Sequence, residues 1–133
     1  MTSHWKVRYY ANVLTVLDVD AELPPRETLY AAMLQERLGL SDKQAVEGFM
    51  VARQSPPDIY IHDTEITNER NLVDMLVAKK LDGGVTEEEK GVIGEFIRSA
   101  EIEDFRVHSL RLESDARFSE VSDELDAQAE AAS

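Results

Sequence analysis

The chain has 133 residues, of which 27 are Asp or Glu, 14 are Lys or Arg and none is Cys, for a formal charge of −13. That length fits one domain, able to bury about two-thirds of its unfolded surface without a metal or a crosslink, and the missing cysteines exclude disulfide and zinc-thiolate chemistry. Polar residues cut every apolar run short of the ~20 that a membrane span needs, and the charge disfavours nucleic acid and anionic lipid as partners.

Lysine occurs only at Lys6, Lys43, Lys79, Lys80 and Lys90, whereas arginine occurs nine times. Charge of one sign repels itself in dilute buffer. In molar salt the screening length falls to about 3 Å and the repulsion vanishes. A lysine-poor acidic surface therefore points to a salt-loving host, with an acidic protein of a GC-rich mesophile or its phage as the alternative. Met1-Thr2-Ser3-His4-Trp5-Lys6 lacks the basic-then-apolar order of a secretory signal.

Residues 5–20 fit two states. Tyr9, Val13, Val16 and Leu17 keep helical spacing, yet Val13-Leu14-Thr15-Val16-Leu17 is β-branched enough for a buried strand. Helix is favoured. After the Asp18–Glu22 connector, Pro24-Pro25 opens a helix over about 26–38, with Leu29, Ala32, Met33 and Leu40 to one side and Gly39 as its stop. Ser41 and Gln44 have capping-box spacing for a helix to about Arg53, with Ala45, Val46, Phe49 and Met50 inward. Ser55-Pro56-Pro57-Asp58 breaks the pattern, and Ile59-Tyr60-Ile61 reads as a short strand or extended link.

The most regular helix spans about 68–81, on Leu72, Val73, Leu76 and Val77, and ends at Asp82-Gly83-Gly84. Thr86-Glu87-Glu88-Glu89 caps the next, which carries Val92, Ile93, Phe96 and Ile97. Residues 104–112 switch to period two, with Phe105 and Val107 on one face and Leu110 and Leu112 after a phase slip, as in a strand. Ser114 then caps a last helix whose seam is Phe118, Val121 and Leu125. The expected architecture is a mainly α domain over 1–126, of four to six helices with one or two short strands, and 127–133 as a disordered polar tail.

Candidate chemical sites are few. Asp18, Asp20 and Glu22 alternate like the start of a calcium loop, but Leu23 and Pro24 stand where glycine and further ligands belong. Glu101, Glu103 and Asp104 read as solvated surface. Of His4, His62 and His108, only His62-Asp63 has an orienting carboxylate, and no nucleophile with an oxyanion turn accompanies it. A surface or interface role suits each histidine better. Gly83-Gly84 and Gly91 match no phosphate-cradling loop. No catalytic residue, cofactor or metal site is therefore assigned.

The stretch Leu34–Val46 resembles a helix-turn-helix, with Gly39 in the turn and Ser41 as the cap. Gln35 stands where that family wants a small residue, and Asp42 and Glu47 would repel phosphates. A packed helical hairpin is the better reading.

The C-terminal half resembles the end of head–tail connector (adaptor) proteins of tailed viruses. An amphipathic helix over Asn71–Leu81 is followed by a glycine break and Arg98-Ser99-Ala100-Glu101-Ile102-Glu103-Asp104-Phe105-Arg106-Val107. Ile102, Asp104, Phe105 and Val107 keep the connector pattern, and Glu103 replaces its usual glycine. The resemblance implies a non-enzymatic virion protein, assembled as a homo-oligomeric ring in the host cytoplasm. Its partners would be portal and tail proteins, with DNA passing through and no membrane contact. A strand with apolar residues on both faces is hard to bury in one small domain. Residues 102–126, through Phe105, Val107, Leu110, Leu112, Phe118, Val121 and Leu125, are accordingly expected to form the main contact between subunits or with the portal. The alternative is an acidic helix-turn-helix-like cellular regulator or interaction module.

Overall fold

A computed structural model describes residues 4–17, 23–83 and 87–132, and the side chains of these except 87–90 and 132. The described residues hold six helices and no strand: α1 His4–Val16, α2 Pro25–Leu38, α3 Asp42–Ala52, α4 Glu65–Asp82, α5 Glu87–Ser99 and α6 Asp104–Ala132. The chain is mainly α, as composition and periodicity predict. The calcium-like Asp18–Glu22 stretch and the capping residues ahead of α5 lie outside the described residues.

Helix α1 is the central rod, touching α2, α3, α4 and α5. Val7, Tyr9, Tyr10 and every residue from Ala11 to Leu14 are buried. A helix covered on all sides carries no polar stripe, which is why its sequence fits helix and strand almost equally.

Helix α2 starts on Pro24-Pro25 and ends at Gly39, whose left-handed φ of 71° turns the chain back. There the Gly39 N–H donates to Glu36 O and the Leu40 N–H to Gln35 O, both at 3.0 Å. Gln35 Nε2 braces the turn, donating to Leu40 O at 3.2 Å and Asp42 Oδ1 at 3.0 Å. The predicted capping box opens α3: Ser41 Oγ accepts from the Gln44 N–H at 3.2 Å, and Gln44 Oε1 accepts from the Ser41 N–H at 2.9 Å.

The face of α3 differs from expectation. Its buried residues are Ala45, Gly48 and Ala52, whereas Val46 and Met50 are exposed. Three small residues bring α3 close against α1, where Gly48 lies on the Tyr10 ring. Close approach by small residues outcompetes burial of the larger ones. For α2, Leu40 just past its end is buried and Leu29 and Met33 pack half-buried on the core, as expected, but the face centres on Tyr30, Ala31 and Leu34, and Ala32 is exposed.

Ile59-Tyr60-Ile61 is an extended link without a strand partner. Its backbone bonds go to asparagine side chains instead. Asn12 accepts the Tyr60 N–H at 3.0 Å and donates to Tyr60 O at 2.9 Å, and Asn68 does the same for His62 at 2.8 and 3.2 Å. Thr64 caps α4 three residues earlier than its apolar stripe suggests.

The largest correction falls on the C-terminal segment. Residues 104–112 are not a strand but the first turns of α6, which continues through Ser114 to Ala132. Its inward residues, Val107, Leu110, Ser114, Val121 and Leu125 with Phe118 half-buried, are spaced by threes and fours or their sums. The apparent phase slip was this helical seam. Phe105 and Leu112, seven apart on the outer side, produced the false alternation. Ser114 is no cap: it is buried in mid-helix and donates to Arg111 O at 2.7 Å. Residues 127–132, expected to be disordered, extend the same helix, consistent with their Ala, Gln and Glu content.

Ion pairs among the described residues lace α4 to α6. They are Glu69–Arg106 at 2.5 Å, Arg70–Glu113, Asp74–Arg117 at 3.8 Å and Lys80–Asp115 at 2.5 Å. Apart from Asp74–Arg117, whose carboxylate is buried, these pairs lie at the surface, where water and salt screen them, so their main effect is on the register of the long helix.

Candidate functional site

The polar interior lies between α1, α2, α4 and α6. Asp74 sits in the buried run from Asn71 to Ala78, with its carboxylate almost wholly shielded. Charge at such a place requires partners. It has four: the Tyr9 hydroxyl donates to Oδ2, the Tyr30 hydroxyl to Oδ1 at 3.3 Å, Arg37 Nη2 to Oδ2, and Arg117 Nε lies 3.8 Å from Oδ1. Burial, and after it the Asp74 charge, push both phenols well above the ordinary tyrosine range, so each keeps its proton and donates. For Arg37, burial works against the cation, but Asp74 and the two phenols outweigh it and the net shift is upward. The cluster carries two guanidinium charges against one carboxylate. Its hydrogen bonds and ion pairs hold the buried carboxylate charged.

A second network adjoins it. Asn71 Oδ1 accepts from Asn12 Nδ2 and pairs with His62 Nε2, both at 2.8 Å, while Asn71 Nδ2 donates to Tyr9 O at 3.3 Å. These bonds place the proton of neutral His62 on Nε2 and leave Nδ1 buried without a hydrogen bond. Trp5, Tyr9 and Tyr60 pack their rings around the imidazole at 5.1–6.1 Å. Far from the expected surface position, His62 is a core residue.

Burial lowers the His62 pKa below 6.5, and hydrogen bonding to Asn71 and the charge of Asp63 only partly oppose it. The folded state thus resists a proton that the unfolded chain accepts. The stability this neutral imidazole contributes is present above pH 6.5 and is lost as pH falls from there towards its folded-state pKa. Urea midpoints should drop across that window, and in His62→Gln, which keeps an amide donor, the drop should flatten. Glu69 and Glu113, held below 4.5 chiefly by hydrogen bonds from Arg106 and Arg70, add losses only at lower pH.

Two open clefts flank the Arg37–Asp74–Arg117 bridge. One, of about 550 Å³, lies between α2 and α6 and includes Glu36, Glu120 and Glu124. The other, of about 350 Å³, has Trp5, Leu38, Ile66 and Val73 as apolar walls and Arg37, Arg70 and Arg117 as polar ones.

The residues expected to form an interface separate into two groups. Val107, Leu110, Val121 and Leu125 are buried within the chain's own core and Phe118 is half-buried against it, so they face inward. Phe105 and Leu112 remain open, at 65% and 59% exposure. His108 is exposed, as expected, and so is His4.

Asp74, Tyr9, Tyr30, Arg37, Arg117 and the three asparagines escaped sequence reading. A signal existed: Asp74 interrupts Leu72-Val73 and Met75-Leu76-Val77, and Asn12 interrupts the apolar run of α1. A charge inside the most apolar stretch implies a buried partner.

Among the described residues no three His, Asp or Glu side chains cluster to hold a metal ion, and no helix is long and apolar enough to cross a membrane. No family model, curated protein or solved structure matches the chain.

Proposed function

We propose that the chain is a non-enzymatic assembly protein that docks through its helix faces. The observation that carries this is the exposure of large apolar side chains on two separate helices. Val46 and Met50, one turn apart on α3, are 58% and 63% exposed, and Phe105 and Leu112 lie on the outer side of α6. Unlike patches on one copy suit a heterologous, head-to-tail contact, and such contacts close into rings when the rotation permits. An acidic surface also suits a conduit for DNA, because like charges give phosphates no counterion-releasing grip. With the sequence resemblance around Ile102–Val107, these features favour a head–tail connector ring of a tailed virus, docking on portal and tail proteins. Because that segment is helical, the contact proposed is the outer side of α6, in place of a paired strand.

Mass in solution tests this. Light scattering at low and molar salt should show association that strengthens with salt, as repulsion between acidic copies is screened. Phe105→Asp combined with Leu112→Asp should give a folded monomer, because neither side chain belongs to the core. A chain that stays monomeric at every salt and protein concentration removes the ring. Nanomolar, sequence-specific DNA binding in a gel shift would promote the regulator instead.

A further inference from the structure

We infer that the Trp5–Ile66 cleft is a binding site for a monocarboxylate carried on a large apolar group. This site is separate from the outer faces of α3 and α6 proposed for assembly, and its test does not depend on them.

The first ground is the distribution of charge. Acidic residues outnumber basic ones by nearly two to one in this chain. Yet the cleft is lined by three arginines and one carboxylate, and that carboxylate, Asp74, is buried behind them. The neighbouring cleft shows the contrast, since it shares Arg37 and Arg117 but also includes Glu36, Glu120 and Glu124. An anion would be repelled there and accepted on the Trp5 side.

The second ground is an unused donor. Arg37 is spent on Asp74, and Arg70 grips Glu113 with two nitrogens. Arg117 is 37% exposed, donates no hydrogen bond among the described residues and stands 3.8 Å from a carboxylate that three other groups already bind. With Nε turned to Asp74, its two terminal nitrogens can take a bidentate carboxylate. Three cations against Asp74 and Glu113 leave a surplus of one positive charge, which matches a monoanion better than a phosphate dianion.

The third ground is the wall. Trp5 is held edge-on by Tyr9 and His62, and Ile66 on the facing helix is 68% exposed. With Leu38 and Val73 they offer an apolar surface beside the guanidinium, in a cleft of about 350 Å³ that falls within the range of small-ligand sites. A flat or branched apolar body with one carboxylate satisfies both halves. Such a group is found in small aryl or branched-chain acids and at the free C-terminus of a peptide ending in an apolar residue.

Trp5 is the sole tryptophan, so its fluorescence reports on the cleft directly. The full chain is titrated in low salt with 3-phenylpropanoate, its neutral amide, phenyl phosphate, and a pentapeptide ending in Phe with a free or amidated terminus. A saturable change with the acid is expected, at least about tenfold weaker with the amide, because a charge-assisted contact is lost. Arg117→Gln should weaken binding by a similar factor. Ile66→Glu, at an exposed position that folding does not need, should abolish binding while helical circular dichroism stays unchanged. If the free-ended peptide binds tighter than 3-phenylpropanoate the source is a chain terminus, and if weaker it is a small acid; either keeps the site. The inference is overturned by equal binding of acid and amide, by tighter binding of phenyl phosphate, by unchanged affinity in Ile66→Glu, or by no saturable change with any acid.

Discussion

Asp74→Ala is expected to destabilise the fold by about 3 kcal/mol, the scale of breaking a buried, multiply bonded ion pair. Four groups lose the carboxylate at once. The Tyr9 hydroxyl is deeply buried and loses its acceptor, and an unpaired buried donor costs about 1–3 kcal/mol, whereas the Tyr30 hydroxyl keeps the backbone oxygen of residue 74 at 3.4 Å. Arg37 and Arg117 are only partly covered and can swing to solvent, which keeps the total below the sum of the separate contacts. Asp74→Asn should cost less, since an amide oxygen still accepts from one phenol. Urea unfolding of Asp74→Ala, Tyr9→Phe and the double variant gives the coupling: Tyr9→Phe should be markedly less costly once Asp74 is gone. Additive effects, or a loss under about 1 kcal/mol for Asp74→Ala, would show that the carboxylate does not hold these helices together.

The same residue shows what could be read from the sequence and what could not. Helix count, the α2–α3 turn at Gly39 and the Ser41–Gln44 box are local signals, carried by residues three or four apart, and the structure repeats them. Three features depended instead on contacts distant in sequence. Burial of α1 on all sides erases its period. The direction of α3 is set by how close Gly48 comes to Tyr10, so Val46 and Met50 face out although they are more apolar than Ala45. In α6 the alternation of Phe105, Val107, Leu110 and Leu112 mixes two inward residues with two outward ones, and only the position of α4 tells which is which. The Asp74 cluster gathers Tyr9, Tyr30, Arg37 and Arg117 across more than a hundred positions. Short-range periodicity carries no trace of such a meeting beyond the oddity of a charge in an apolar run.

Gly48→Val should cost about 3 kcal/mol, at the upper end of ordinary overpacking. A Cβ at this position would sit 2.7 Å from Tyr10 Cδ2, closer than real contacts of this kind, and 3.4 Å from Cε2. The ring cannot easily retreat. Tyr10 is 1% exposed, stands edge-on to Phe49 with centroids 6.1 Å apart, and donates its hydroxyl to Ala31 O at 3.2 Å. Burial pushes that hydroxyl up to a pKa of about 12, so it remains a donor at any ordinary pH. Moving the ring therefore disturbs α2 as well as the α1–α3 contact. Gly48→Ala meets the same clash with one carbon and regains about 1 kcal/mol of helix propensity, so its net loss should be about 1 kcal/mol. Shortening the ring in Tyr10→Leu makes room, and Gly48→Ala should then be neutral or stabilising in that background. Denaturant midpoints of the single and double variants decide the matter. If Gly48→Ala raises stability in the unaltered chain, propensity has won, the α1–α3 approach is looser than described, and the outward turn of Val46 and Met50 loses its physical cause.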